Sequence, residues 1–504
     1  MRPERDGRAW LRNAVAAACG ALLTVALPPV LFWPALLALV PILHLTASSA
    51  TVRKGFGIGF WAGIGFFPLY LLWLPASLSQ PDWFGPFFWA LFPPLVLIVS
   101  AFWGIVTGGA RLIGGGGWPT LLVLPAAWVL MEWGRTQGYF AFPWGTLGYA
   151  WLDTPVSQLA GTIGVHGLSL LALSLAALLA APLQGRGRFT LAAPALAVLL
   201  GAGAWLAGAQ RLQVPLPEPT RTALLVQPNL DPFGRLGTPT GDLQILTRLT
   251  ATGTTATPAP DLIVWPEGAL VGIDIEAGAS TWVHDQIAVA AGGTRTIIGG
   301  RGSDAGGTYN SAWLLEDAAL AGRYDKTVLV PFGERWPLME QLEPAYRWLF
   351  GLLQIGLLQN TTAGARAVSL GQDPGLGVYI CYESVFPQVT SALVRDGAQV
   401  LVNITNDAWF ARGNGARQHY DMGRMRAIET HRYVLRSGLD GITGVVDPLG
   451  RSVSELPRNV PDTILVAFEP SDVVTDYVRY GGLLVPLLLG WILLAAAGRF
   501  LLQS

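Results

Sequence analysis

The run LGVYICYES, Leu376–Ser384, is a short β-rich stretch that ends in a thiol and a carboxylate. Val378, Tyr379 and Ile380 are strand formers, and the polar Glu383 and Ser384 close the run. Further out, the same pattern recurs in TALLVQPN, DLIVWPEG, TRTIIGG, TYNSAWLLED and AQVLVNITND, each an apolar run ended by polar residues or glycine. Helix-like stretches, among them Thr281–Ala291 and Gln418–Arg436, lie between them. Strands alternating with helices argue an α/β domain. Placed at 209–478, about 270 residues long, it can bury its own core.

The flanking sequence is of another kind. From Ala14 to Gly208 the text is nearly continuous apolar sequence, and a further apolar stretch, GGLLVPLLLGWILLAAAG, begins at Gly481. Over 504 residues, 52% are apolar and only 13% charged. Soluble domains average roughly 25% charged, so membrane spans are the simplest explanation. A span needs about 20 mostly apolar residues. Eight are expected, near 10–27, 29–47, 55–75, 87–109, 118–134, 157–182, 189–208 and 481–498. The organisation read is a helical membrane bundle over 1–208, the α/β domain over 209–478, and a final membrane helix in 479–504. Gly55, Gly59 and Gly63 repeat at the spacing that lets membrane helices approach closely. Trp83, Phe84, Phe87, Phe88 and Trp89 fit an interfacial aromatic belt.

Basic residues collect in cytoplasmic loops. Arg2, Arg5, Arg8 and Arg12 precede the first span, Arg53 and Lys54 the third, Arg111 the fifth, and Arg186 and Arg188 the seventh; Arg499 follows the eighth. The alternate loops carry almost none, with Arg135 as the exception. Both termini are therefore expected in the cytoplasm and 209–478 outside it. Net charge is −1, so no basic field gathers nucleic acid. The two cysteines, Cys19 and Cys381, offer neither a disulfide framework nor a zinc cluster, and the five histidines show no metal-ligand spacing.

Three strand ends can carry chemistry. DLIVWPEG places Glu267 after an apolar strand, GRYDKTVLVPFGE carries Lys326 and Glu334, and LGVYICYES carries Cys381, Tyr382 and Glu383. Ligands of α/β sheets sit beyond the carboxyl ends of strands. A thiolate is the stronger nucleophile. Glu267 could take the thiol proton as general base, and Lys326 could stabilise an oxyanion and lower the thiol pKa. The product would be an acyl-thioester, which splits one hard transfer into two easier steps. Taken singly, each residue has a plainer reading: Cys381 as inert packing, Glu267 and Lys326 as solvated charges, Glu383 as the partner of an arginine.

The phrases together change that balance. WPE, YDKTVLVPFGE, CYES, NITNDAWF, QH and MGRMRAIE resemble the nitrilase superfamily, an α-β-β-α sandwich with a Glu-Lys-Cys triad. LVPFGE, FPWGTLGY at Phe142–Tyr149 and the membrane bundle narrow the resemblance to the apolipoprotein N-acyltransferase family. That family takes an acyl chain from a phospholipid onto its cysteine and passes it to the α-amino group of an S-diacylglyceryl-cysteine on an apolipoprotein, in the bacterial inner membrane. Carried over, the resemblance makes Glu267 the base, Lys326 the electrostatic partner, Cys381 the nucleophile, Glu334 an additional carboxylate, and Tyr382 and Glu383 an important pair. It implies no cofactor and no metal. Two departures stand out: Leu439-Asp440-Gly441 where the family often reads Asn-Asn-Gly, and NLDPFGRLG, which lacks a clear match to a loop tryptophan. The residues alone also leave open a membrane-tethered amidase or a catalytically silent scaffold for a partner enzyme. Within the polar domain, YRWLFGLLQIGLL, Tyr346–Leu358, reads either as a core helix or as a lid that dips into the outer leaflet, and its position shortly after Lys326 and Glu334 favours the lid. His419, in ARQHY, reads as a residue that orders the loop after NDAWF rather than as a proton shuttle.

Overall fold

The computed structural model describes residues 9–78, 87–185, 187–230, 238–353, 360–411 and 413–503. The chain divides into two compact units, one of 1–214 with 480–504, the other Pro215–Arg479.

The first unit is helical. Its long helices are Ala9–Leu23, Val52–Tyr70, Phe87–Gly114, Trp118–Gly134, Ala160–Ala180, Arg188–Leu212 and Leu484–Gln503. Among the described residues, six helical segments are long and apolar enough to cross a membrane. The span expected at 29–47 is shorter, running from Trp33 to Ala47 as a 3₁₀ turn followed by a short α-helix. Pro28, Pro29 and Pro34 explain the late start, because proline lacks the N–H that a helix interior needs. Trp118–Gly134 has 17 residues.

The glycine spacing works as expected. A methyl group at Gly59 would collide with the Trp103 carbonyl, and one at Gly63 with the Ser100 backbone. The helices Val52–Tyr70 and Phe87–Gly114 therefore touch backbone to backbone. The basic residues gather at one end of this unit. Arg12 donates to the Leu45 carbonyl at 2.8 Å and Arg111 reaches the Ala50 carbonyl, while Gly117 N donates to Ala47 O beside them. Arg135 lies at the far end of the Trp118–Gly134 helix and is buried. Its guanidinium donates to Phe142 O at 2.7 Å and Trp144 O at 2.6 Å. This exception to the charge pattern is a clamp on the Phe142–Tyr149 loop, not a solvated loop charge. Of the aromatic belt, Trp83 and Phe84 lie outside the described residues; Trp89 is exposed on its helix.

The second unit is an α/β sandwich. One sheet holds β1 (Arg221–Gln227), β2 (Leu262–Val264), β3 (Thr296–Asp304), β4 (Gly307–Glu316), β5 (Ala319–Asp325) and β11 (Asp462–Phe468), in the order β11-β1-β2-β3-β4-β5. The other holds β6 (Leu376–Ile380), β7 (Val400–Thr405), β8 (Val434–Gly438), β9 (Gly444–Val446) and β10 (Ser452–Glu455), in the order β10-β9-β8-β7-β6. β1, β2 and β3 run parallel, as do β6, β7 and β8. These parallel strands are mostly buried, and β2, β6, β7 and β8 are buried throughout, as expected for strands covered on both faces. The sheets meet through β1 and β8, where Ser437 Oγ donates to Val226 O at 2.8 Å. Helices Pro239–Gly253 and Thr281–Ala291 cover the first sheet; Pro387–Arg395 and Gly415–Thr430 cover the second. Trp265, Trp313, Ile263, Ile298 and Leu224 form the core of the first sheet's helical face. The strands β2, β5, β6 and β7 all end beside one another at the site described next.

Candidate active site

β6 is buried at all five positions, so its end is fixed by packing. Cys381 follows immediately and adopts φ 50°. A non-glycine residue in that region is uncommon and costs on the order of 1–3 kcal/mol, so something must hold it. Glu383, fully buried, does so. Its carboxylate accepts from Ile380 N at 2.8 Å, Thr327 N at 2.7 Å, Thr327 Oγ1 at 2.6 Å, Val328 N at 3.1 Å and Tyr324 Oη at 2.8 Å. The plain reading of Glu383 as an arginine's partner is thus replaced. It ties the Cys381 turn to the segment that follows Lys326. Burial pushes its carboxyl pKa up, against the pull of these donors. Tyr382 is buried beside it and meets Phe386 edge-on, with ring centroids 5.0 Å apart.

Glu267 follows β2 through Trp265 and Pro266. Its Oε2 accepts from Asn406 N at 2.8 Å and its Oε1 from Asn310 Nδ2 at 2.7 Å. Lys326 follows β5 and is 1% exposed. Its Nζ lies 2.9 Å from Glu334 Oε1 and 3.5 Å from Glu267 Oε1. Glu334 also accepts from Val330 N at 2.8 Å and Asn310 Nδ2 at 2.8 Å. Desolvation alone would lower the Lys326 pKa; Glu334 and Glu267 outweigh it and hold the ammonium charged.

Cys381 responds the other way. Burial raises its pKa, Glu267 and Asp407 raise it further, and Lys326 lowers it without reversing the result. The expectation of a thiol acidified by the lysine is corrected here. Two carboxylates share one ammonium, so a thiolate would add negative charge to a site that already holds it. Burial and the neighbouring carboxylates favour the protonated thiol, so an attack by this sulfur would call for a base.

Sequence reasoning missed Asn310, which bridges both carboxylates from the middle of β4, and Arg436, whose Nη2 lies 2.7 Å from Asp407 Oδ2. Asn310 was one polar residue in a strand; only its facing of two carboxylates from other elements reveals it. The departure at Leu439-Asp440-Gly441 lies against the same loops. Leu439 O accepts from Asn229 N at 2.8 Å, and Asp440 lies 3.5 Å from Arg458 Nη2. Residues 231–237 of NLDPFGRLG lie outside the described residues, as do 354–358 of the apolar segment. The described part of that segment continues the helix Met339–Leu353.

An α/β sandwich presenting a cysteine, a lysine and glutamates at adjoining strand ends, on a chain with a helical membrane unit, defines a membrane-embedded protein of the carbon–nitrogen hydrolase class. Residues 241–476 match the carbon-nitrogen hydrolase family, and residues 19–178 match the apolipoprotein N-acyltransferase N-terminal domain. The chain is 31% identical to an apolipoprotein N-acyltransferase of Bordetella bronchiseptica, over 99% of each chain. It is 34% identical to one of Allorhizobium ampelinum, over 89% of this chain and 88% of that one. An amidase from Nesterenkonia sp. is similar at 16% identity and a TM-score of 0.38, over 52% of this chain and 94% of that one. The chain belongs to the apolipoprotein N-acyltransferase family.

Proposed function

We propose that the protein moves an acyl chain from a phospholipid to Cys381 and then to the α-amino group of an S-diacylglyceryl-cysteine on an apolipoprotein. The observation that carries this is the convergence of Glu267, Lys326 and Glu334 beside Cys381, which sits on a turn with a left-handed backbone. Glu267 removes the thiol proton as sulfur attacks the ester carbonyl. The developing oxyanion faces the Lys326 ammonium. The carbon–oxygen ester bond breaks, Glu267 returns the proton to the departing glycerol oxygen, and lysophospholipid leaves. In the second step the lipoprotein amine attacks the thioester, Glu267 accepts its proton, and the thiol is restored. Glu334 and Asn310 keep the lysine and the base in register; Tyr382 and Glu383 support the turn. No step calls for a cofactor or a metal.

The charge pattern supports an orientation with the basic end and both termini in the cytoplasm, and Pro215–Arg479 outside, in a bacterial inner membrane. Phe332, Leu338, Leu342 and Trp348 are exposed on the catalytic unit, which supports contact of this region with the outer leaflet and guidance of acyl chains toward Cys381. The test is acceptor choice. Supplied with phosphatidylethanolamine and a diacylglyceryl-modified peptide, the purified chain should yield N-acyl peptide and lysophospholipid in equal amounts. Release of free fatty acid with no acylated peptide would identify a hydrolase instead.

A further inference from the structure

A second polar network lies beside the triad, and its centre is His419, buried to 1% exposure. Its Nε2 sits 2.7 Å from Ser384 Oγ and 3.0 Å from the Cys381 carbonyl oxygen. Its Nδ1 sits 3.0 Å from Asp407 Oδ1. Asp407 Oδ2 accepts from Arg436 Nη2 at 2.7 Å, and Thr405 Oγ1 donates to Oδ1 at 3.0 Å. Asp407 directly follows Asn406, whose backbone N–H holds Glu267 Oε2 at 2.8 Å. One imidazole therefore touches the nucleophile turn with one nitrogen and the turn that grips the base with the other. Asp407 can only accept, so the neutral ring spans both turns as the Nδ1–H tautomer, donating to Asp407 and accepting from the Ser384 hydroxyl.

We propose that His419 is a positioning residue that locks the Cys381–Ser384 turn to the Asn406–Asp407 turn, so that sulfur and base carboxylate keep one mutual register. Both turns need holding. Cys381 has a left-handed backbone, and Glu267 is aimed by one N–H of a loop. Glu383 anchors the nucleophile turn to the lysine segment but does not reach the base. His419 supplies the remaining side of the triangle. Both ring nitrogens are engaged and burial pushes the ring toward its neutral form, so the imidazole acts as a brace rather than as a proton carrier. A misplacement of about 1 Å between reacting groups costs roughly 10²-fold in rate.

The inference rests on Cys381 being the acylated residue. The experiment is single-turnover acylation of the full-length chain by a short-chain phosphatidylethanolamine, reading rate constant and amplitude separately. Partial unfolding lowers the amplitude and leaves the rate constant. His419→Ala should lower the rate constant about 10²-fold with donor KM little changed. His419→Gln keeps an amide near the nucleophile turn, and His419→Asn keeps one near Asp407. Each should recover part of the rate, and neither all of it. Ser384→Ala cuts one arm of the brace and should also slow acylation; it serves if His419→Ala does not fold. A wild-type rate constant in His419→Ala or Ser384→Ala, or full recovery by Gln or Asn alone, would overturn the brace. A wild-type chain that never acylates would remove the thioester reading, and this proposal with it.

Discussion

Arg135 in the membrane unit and Lys326 in the catalytic unit are both buried cations, and their partners give them opposite uses. Arg135 Nη2 donates to the carbonyls of both Phe142 and Trp144, with its guanidinium 5.6 Å over the Phe67 ring. The same loop is held by Glu132, which accepts from Leu147 N at 2.9 Å, and by Ser169, which accepts from Gly148 N at 2.7 Å. An always-charged guanidinium whose Nη2 is bonded to two backbone carbonyls of one loop is a fastener. Lys326 is a compact charge between two carboxylates and beside a thiol. It can answer charge that appears on a third group during a reaction. Burial of a cation is therefore no guide to its role; the charge and freedom of its neighbours are.

That contrast can be broken in four ways, in order of expected effect. Glu267→Gln should slow single-turnover acylation by about 10²–10⁴-fold, because the resting thiol needs its base. A loss below tenfold would mean that sulfur ionises unaided. Lys326→Met should cost about 10²–10³-fold, the scale of a lost oxyanion donor. Arg135→Ala should leave the acylation rate constant within about twofold while lowering thermal stability, since each carbonyl left without its donor costs about 1–3 kcal/mol. A large fall in its rate constant with unchanged stability would make Arg135 part of the chemistry. The smallest effect concerns the thiol. Its raised pKa predicts that iodoacetamide alkylation of Cys381 climbs with pH past the free-cysteine value of about 8.5 with no plateau there. Glu267→Gln removes a neighbouring negative charge and should shift that profile toward lower pH, even as acyl transfer falls. A wild-type plateau near pH 8.5 would contradict the charge balance described here.

Much of this is legible in the sequence. Span lengths follow from hydropathy alone, and the reading faltered at 29–47, where Pro28, Pro29 and Pro34 shorten the helix. The candidate set was legible in part because Glu267 and Cys381 each follow an apolar parallel strand, whereas Lys326 follows β5, an antiparallel strand that ends Arg-Tyr-Asp. Asn310 sits inside β4, where a polar residue normally reads as a solvent-facing position. Glu383 was placed beside Cys381, but apart from Ile380 its donors come from Tyr324, Thr327 and Val328, more than fifty residues upstream. The direction of the thiol pKa was missed for a related reason: sequence shows one lysine near the cysteine and cannot weigh it against burial and two carboxylates. Pairwise motifs are local; electrostatic sums are not.

The most direct measurement is intact mass of the purified chain after exposure to a phosphatidylethanolamine of one defined acyl length. The account predicts a single added acyl group on Cys381, absent in Cys381→Ala and discharged by a diacylglyceryl-modified peptide. An adduct that persists in Cys381→Ala, or N-acylated peptide made by that variant at the wild-type rate, would contradict it.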